Sequence, residues 1–323
     1  MSVDDEVELV MPLPASLQEE VPAPTEMIHG VDRHSAGPGA LPDEERSRPL
    51  PPVEIFTKLL EPTVYGRIPR RADDGSTSFR TYAAGAPGLR VADSEGTIGG
   101  QGGARVAIAV IDLGLDQQVS KQSIALPWAL SFGVTPYVAT TADWQRFMRW
   151  HGHEVFTMLP LESLDTANVD QGALALSARE DPASLLDGLA RVMSRGAGYV
   201  GVAGNARGFA AEPGAFAPIA AELARRGLAF MELDGRFLED IADESELPYL
   251  SMSMALDEEL SPAAVDERLH DLERLALANG MATAYTGPVP VVLDRIWNWS
   301  RELASRGITL VPATSLMEPP GEP

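Results

Sequence analysis

The 323-residue chain contains no cysteine, which excludes disulfides, cysteine-ligated zinc, iron–sulfur clusters and a catalytic thiol. Aromatic residues make up only 6% of it, and Lys and Arg together number 25 against 47 Asp and Glu. The resulting formal net charge of −22 repels a phosphate backbone or an anionic membrane surface, so it argues against nucleic-acid binding. A cysteine-free chain tolerates oxidising and reducing surroundings alike, so this absence leaves the compartment open.

Long apolar runs are also missing. The longest β-like apolar run is 106–111, far shorter than the roughly 20 residues that a membrane helix requires. The first residues include Asp4, Asp5, Glu6 and Glu8, where a signal peptide carries positive charge. We therefore expect no membrane span and no export signal in this chain.

Residues 1–104 differ in composition from the rest. They contain 12 of the 26 prolines, and residues 1–50 hold 11 acidic residues against 3 Lys or Arg. Low hydrophobicity, high net charge and many prolines are typical of disordered segments. The sequence predicts a disordered acidic tail and linker over 1–104, in which 53–65 has apolar residues that are able to pack on a domain. A short C-terminal tail is predicted over 318–323.

From residue 105 onward, short apolar runs alternate with amphipathic helical patterns. The predicted strands are 106–111, 130–134, 154–159, 199–203, 228–233, 248–253, 282–285 and 308–311. Strand–helix alternation repeated over about 210 residues is typical of a closed or nearly closed β/α barrel, with a doubly wound open sheet as the alternative. The predicted fold is therefore a distorted β/α barrel over 105–317.

In such a barrel the chemistry lies at the carboxyl ends of the strands. These positions offer two candidate catalytic carboxylates, Asp112 after the first strand and Glu162 after the third. For Asp112 the alternative is a role as the N-cap of the following helix. The fourth strand is followed by Asn205 and Arg207, a pair that suits a sugar or a carboxylate ligand.

Two further acids, Glu232 and Asp234, lie at the carboxyl end of the fifth strand, and the sequence leaves open which of them faces the site. We take Asp234, with Asn205 and Arg207, as a candidate substrate-binding residue. No histidine stands at the strand ends. His151 and His153 have the spacing of a metal pair, but they precede the third strand and so lie at the opposite end of the barrel.

Many short motifs, in order and with matching spacing, give the chain a family resemblance. They are 110–114 (VIDLG), 125–127 (ALP), 131–137 (SFGVTPY), 152–155 (GHEV), 159–162 (LPLE), 198–202 (GYVGV), 222–228 (ELARRGL) and 304–312 (ASRGITLVP). On these motifs residues 105–316 resemble the divergent polysaccharide deacetylase family. The resemblance implies a distorted β/α barrel related to metal-dependent carbohydrate esterases, in which a divalent metal polarises the acetyl carbonyl and activates water.

The resemblance also implies metal ligands, and this chain departs from them. Ile111 stands where the first aspartate of a pair is expected, and Met158, Asn205 and Gly287 stand where histidines are expected. A thioether is a poor ligand for hydrolytic zinc, and glycine has no side chain. The oxygen donors of Asp112 and Asn205 are too few for a tight site, so we expect no metal and no other cofactor.

Three functional hypotheses follow. The preferred one is a catalytically degenerate barrel that binds a cell-envelope glycan or a cell-wall protein. The first alternative is an active deacetylase of N-acetylated glycans, with zinc on Asp112, Asn205 and one further carboxylate. The second is a protein–protein scaffold in which the acidic tail recruits the partner. The resemblance implies a location in the periplasm or cell envelope. The start of the sequence shows no signal peptide, so the location stays open.

Overall fold

The computed structural model of the chain describes residues 55–84, 103–165 and 171–317. The predicted tails at 1–50 and 318–323, and nearly all of the glycine-rich link before residue 103, lie outside these ranges. The described strands are β1 (Leu60–Thr63), β2 (Gly66–Pro69), β3 (Ala104–Leu113), β4 (Ser131–Val134), β5 (Val155–Met158), β6 (Gly201–Gly204), β7 (Ala229–Glu232), β8 (Tyr249–Ser251), β9 (Met254–Ala255), β10 (Met281–Thr286) and β11 (Ile308–Leu310). The helices are α1 (Ser78–Tyr82), α2 (Gln117–Ser123), α3 (Thr141–Trp150), α4 (Pro182–Met193), α5 (Ala217–Arg226), α6 (Glu239–Glu244), α7 (Pro262–Asn279) and α8 (Pro290–Ser300).

Nine parallel strands form the main sheet. Eight of them run in the order β8-β7-β6-β5-β4-β3-β10-β9, and β11 pairs with the first half of β3. The two edge strands, β8 and β9, are consecutive in the chain. Thr283 Oγ1 in β10 donates to the carbonyl of Ser251 and accepts from the amide of Ser253, both at 2.8 Å. These side-chain hydrogen bonds link β10 to the end of β8 across the gap in the sheet. The predicted distorted β/α barrel is confirmed.

Side chains alternate between the two faces of each strand. In β3 the residues Val106, Ile108 and Val110 pack against the helices, whereas Ala107, Ala109 and Ile111 belong to the cluster that fills the interior. Phe156 and Met158 of β5 join that interior cluster. The barrel is therefore a packed core, and only its ends are accessible to a ligand.

The helix boundaries follow the capping signals in the sequence. Asp181 accepts from the amides of Ala183 and Ser184 and is followed by a proline at the first helical position of α4. Ser261 caps α7 in the same way. Gly227 ends α5 with φ of 70°, a left-handed conformation that glycine adopts without a Cβ clash. None of the helices in the described ranges combines the length and apolar character needed to cross a membrane.

Residues 55–84 are folded onto the barrel, so the prediction of a disordered tail over all of 1–104 is wrong for this stretch. The β1–β2 hairpin and α1 cover the amino ends of the strands, where Leu59, Phe79 and Tyr82 are buried in the interior cluster. The amide of Phe79 donates to the carbonyl of Gly227 at 3.0 Å. The few apolar residues of this stretch are buried in the interior cluster of the barrel, although the sequence around them shows no helical or strand period.

The C-terminal turn closes the same end of the barrel around Glu154, which is fully buried. Its carboxylate accepts from Ser131 Oγ at 2.5 Å and from the Thr314 amide at 3.1 Å. The Ala84 amide also donates to it at 3.4 Å. Because both terminal segments seal the amino end of the barrel, the opposite end is left for a ligand.

Candidate functional site

Asp112 lies at the carboxyl end of β3, on the open mouth of the barrel. The register between β3 and β4 shifts after Val110, and Asp112 has a left-handed φ of 57°. Such an irregularity re-aims a side chain, and the Asp112 side chain is exposed to solvent. The helix that follows is capped by Asp116, which accepts from the amide of Val119 at 3.0 Å. The alternative role of Asp112 as an N-cap is therefore wrong.

A second carboxylate that the sequence analysis missed, Asp257, lies near Asp112. Asp257 follows β9, and β10 runs between β9 and β3. The strand β10 ends before Gly287, whose amide donates to Asp257 Oδ2 at 2.8 Å. Although Asp112 is partly open to solvent, desolvation of its carboxyl by the surrounding loops raises its pKa, and the negative charge of Asp257 raises it further. In the described part of the chain, no Lys or Arg pairs with either carboxylate.

The loops after β6 and β7 bring Asn205, Arg207 and Asp234 together, as predicted for neighbouring strand ends. Asn205 Oδ1 accepts from the Arg207 amide at 3.2 Å, which closes a tight turn. The buried carboxylate of Asp234 accepts from the Ala206 amide at 2.9 Å and from Arg207 Nε at 3.3 Å. The Arg207 guanidinium stays exposed and lies 5.9 Å from the ring centroid of Phe237.

Glu232 takes a different role from Asp234. Its fully buried carboxylate accepts from the amides of Phe237 and Leu238, at 2.8 and 3.1 Å, and from the Tyr249 hydroxyl at 2.6 Å. Burial raises the pKa of Glu232, and the three donated hydrogen bonds oppose that shift. Glu232 therefore holds the loop that carries Asp234, whereas the Asp234 carboxylate contacts Arg207.

Tyr285 is a further mouth residue that the sequence analysis missed. It packs against the interior cluster from β10. Burial raises the pKa of Tyr285, as do the negative charges of Asp234 and Asp257, and Arg207 opposes them. Tyr285 thus lies within the electrostatic influence of acids from both the β6–β7 side and the β9 side of the mouth. The sequence did hold a clue to this role, because Tyr285 is the one large side chain among the small residues at 282–286.

Glu162 lies on the loop after β5. Its carboxylate accepts from Ser177 Oγ and from the Arg179 guanidinium, both in the segment that leads to α4. Among the described residues no hydrogen bond joins Glu162 to Asp112. Glu162 is therefore bound to the segment before α4. Asp112 lies on a different loop, at the end of β3.

A cavity of about 510 Å³ lies elsewhere, between α4 and the loop that precedes it. Leu174, Leu176, Asp187 and Arg191 are among its lining residues. Arg191 pairs with Asp187 at 2.7 Å. The cavity holds none of the mouth residues, so the candidate site remains the mouth.

Residues 108–317 match the family model described as divergent polysaccharide deacetylase. The chain belongs to the divergent polysaccharide deacetylase family. An uncharacterized protein from Agrobacterium tumefaciens C58, of known structure, is 30% identical, with 78% of this chain and 99% of that protein covered and a TM-score of 0.69. A putative cellobiose-phosphate cleavage protein from Enterococcus faecalis V583 is 10% identical over 67% of this chain and 100% of its own, with a TM-score of 0.47, too distant to inform function. No curated protein matches the chain.

The positions at which the divergent polysaccharide deacetylase resemblance implies metal ligands are largely apolar here. Ile111 and Met158 are both buried in the interior cluster, and Gly287 offers no side chain. Within the described ranges no three His, Cys, Asp or Glu residues are grouped so as to hold a metal ion. The donors present at the mouth therefore do not fit a catalytic zinc, which needs about three good protein ligands.

The two histidines before β5 are not at the mouth. His153 is buried, with its ring nitrogens 3.3 Å from the Leu130 carbonyl and 3.1 Å from the Ile124 carbonyl. Its ring stacks on Phe132 at a centroid distance of 4.0 Å. His151 is exposed. The interpretation of this pair as structural or exposed residues is confirmed.

Proposed function

We propose that this member of the divergent polysaccharide deacetylase family binds a cell-envelope glycan at the mouth of its barrel without hydrolysing it. The supporting observation is the packing of Ile111 and Met158 in the interior cluster, at positions where the resemblance implies a metal ligand set. Those ligands are the usual means by which a metal is held to activate water, and the described mouth residues do not replace them. The barrel itself is retained, so its strand ends still present polar groups on a rigid frame.

The groups at the β6–β7 side of the mouth suit a sugar. The exposed Asn205 amide and Arg207 guanidinium offer hydrogen-bond donors, and Asp234 fixes the position of Arg207. Phe237 and Tyr285 add aromatic surface beside them. Small-molecule sites commonly combine an apolar or aromatic wall with a few oriented polar groups. A neutral N-acetylated sugar also avoids the repulsion that the net charge of −22 imposes on anionic ligands.

A binding titration with oligosaccharides of N-acetylglucosamine, followed by calorimetry, tests this proposal. We expect saturable binding and no release of acetate, with or without added zinc. Arg207→Ala should weaken binding about tenfold, because it removes a charge-assisted donor. Arg274→Ala is the matched control, since Arg274 pairs with Asp271 on the surface of α7 and should leave binding unchanged.

The other hypotheses give different results. Tightly bound metal together with acetate release would favour the active deacetylase, with Asp257 as the further carboxylate beside Asp112 and Asn205. Absence of binding to every N-acetylated oligosaccharide tested would favour the scaffold hypothesis. Equal loss of binding in Arg207→Ala and Arg274→Ala would place the glycan site elsewhere.

A further inference from the structure

Four of the nine large apolar side chains that are exposed in the described ranges lie on one half of the mouth. Leu115, Leu164 and Leu260 are 64%, 61% and 54% exposed, and Tyr137 is 40% exposed. They follow β3, β5, β9 and β4, which lie in the order β5-β4-β3-β10-β9 in the sheet. We call these four residues the apolar rim. Scattered exposed leucines are ordinary on protein surfaces, but apolar side chains on neighbouring loops of one rim are typical of an interaction surface.

Tyr137 lies on a loop that contacts two neighbouring segments at the mouth. A methyl group on Gly114, next to Leu115, would lie 3.4 Å from Val138 and 3.5 Å from Thr135 in the loop after β4. The Tyr137 hydroxyl donates to the carbonyl of Gln171, in the loop between β5 and α4. The loops after β3 and β4 are therefore in contact, and Tyr137 connects them to Gln171.

Asp112 and Asp257, beside the apolar rim, have no Lys or Arg partner among the described residues. Asp112 and Asp257 flank the end of β10, where Gly287 has no side chain to fill the space between them. Three arginines on loops at this end of the barrel are paired with acids, Arg207 with Asp234, Arg179 with Glu162 and Arg268 with Glu258, and Arg195 Nε donates to the Pro136 carbonyl at 2.9 Å. A ligand that covers this half of the mouth is stabilised if it brings its own positive charge.

We propose that the apolar rim, with Asp112 and Asp257, docks a partner polypeptide that presents Lys or Arg beside apolar side chains. The cation enters between the two carboxylates across Gly287, and the apolar residues cover Leu115, Leu164 and Leu260. A second copy of this chain is a poor occupant, because two chains of net charge −22 repel each other. The surface uses none of Asn205, Arg207 and Asp234, the residues that are proposed to bind the glycan.

Three short synthetic peptides test the proposal on the full chain: one rich in lysine and leucine, one with serine in place of leucine, and one with glutamate in place of lysine. We expect the lysine–leucine peptide to bind, and each altered peptide to bind at least about tenfold more weakly. The double variant Asp112→Asn/Asp257→Asn should also weaken binding about tenfold. Asparagine tolerates the left-handed φ of residue 112 and keeps an acceptor for the Gly287 amide, so the loops should keep their shape.

A second double variant, Leu115→Ser/Leu260→Ser, should lower the affinity for the lysine–leucine peptide about tenfold. Leu277→Ser and Asp243→Asn are the controls, because both residues are exposed on helices away from the apolar rim. Unchanged affinity in either double variant, or equal affinity for the serine peptide, overturns the proposal. Since Arg207→Ala reports on the glycan and these variants report on the peptide, failure of one proposal is distinguishable from failure of the other.

Discussion

Ile111 and Met158 meet over Gly133, on the interior face of three adjacent strands. A methyl group on Gly133 would lie 2.6 Å from Met158 Sδ and 3.3 Å from Ile111 Cγ2. Ile111 comes from β3, Met158 from β5 and Gly133 from β4 between them. The two side chains therefore fill the barrel interior near the mouth with apolar atoms. They occupy positions at which the resemblance implies metal ligands.

This packing makes a restored metal site a direct test of the barrel geometry. In the triple variant Ile111→Asp, Met158→His and Asn205→His, the new side chains extend from the ends of β3, β5 and β6 beside Asp112. We expect the variant to bind about one zinc per chain, because the donors then number at least three with imidazole among them. Metal content after gel filtration and the change in melting temperature on adding a chelator measure the result.

The control for the restored site is the isosteric triple variant Ile111→Asn, Met158→Gln and Asn205→Gln, which carries similar bulk and no zinc ligands of comparable strength. It should hold no zinc and should show no shift with chelator. A restored variant that folds and still takes up no metal would show that the three strand ends do not converge as described.

The barrel was predictable because its strands are short apolar runs separated by helices with strong start and stop residues, such as Ser261 before Pro262. The two-residue strand β9 was missed, because it is too short to show a period. The grouping of Asn205, Arg207 and Asp234 was also predictable, since ends of neighbouring parallel strands meet at one edge.

Other parts of the site depend on contacts that no local pattern reveals. Asp257 belongs to the mouth only because β9 pairs with β10, and this pairing returns the chain to the far side of β3. The burial of Glu232 depends on donors from Phe237 and Tyr249, which the fold brings together. The predicted N-cap role of Asp112 is filled by Asp116, because the helix begins four residues further along the chain, after the irregular end of β3.

Removing the folded N-terminal stretch should destabilise the barrel, whereas removing the acidic segment before it should not. We expect deletion of 1–54 to leave the melting temperature unchanged. Deletion of 1–84 exposes the interior cluster that Leu59, Phe79 and Tyr82 cover, at a cost of roughly 2 kcal/mol for each buried side chain. Thermal and urea unfolding of the two truncations measure the difference.

A point variant tests the same contact if the shorter chain fails to fold. Phe79→Ala should lower the free energy of unfolding by about 3 kcal/mol, because it leaves a cavity in the interior cluster. Val64→Ala, at the exposed turn of the hairpin, should change it by less than about 0.5 kcal/mol. Equal effects of the two substitutions would contradict the described packing of this stretch.

Glu232 should act on ligand binding through the loop that it holds. Glu232→Gln keeps one acceptor oxygen but turns an NH₂ group toward donors that the carboxylate accepted, so we expect a loss of about 2 kcal/mol of stability. The loop with Asp234 should loosen, and the affinity for N-acetylglucosamine oligosaccharides should fall severalfold. Glu244→Gln, on the exposed surface of α6, is the control for both measurements. A fully stable variant would show that the carboxylate is not required by the loop.

His153 should make the fold lose stability as the pH falls below about 6.5. Burial lowers the pKa of His153 from 6.5 to about 4, although the Ile124 and Leu130 carbonyls raise it. Between these two values the unfolded chain binds a proton that the folded chain does not, so protonation favours unfolding. The contribution is fully present above pH 6.5 and is lost as the pH falls toward 4, for a total of about 3 kcal/mol.

The measurement compares urea unfolding of the wild-type chain and of His153→Gln at pH 7.5 and at pH 5. Many carboxylates titrate in this range in both proteins. The difference between the two proteins in how the free energy of unfolding changes with pH therefore gives the contribution of His153. We expect the wild-type chain to lose about 2 kcal/mol more than the variant over this interval. An NMR titration of the imidazole ring gives the native pKa independently of stability. Parallel pH dependence of the two proteins, with the ring titrating near 6.5, would mean that His153 is accessible to solvent protons, contrary to its burial between β4 and the Ile124 carbonyl.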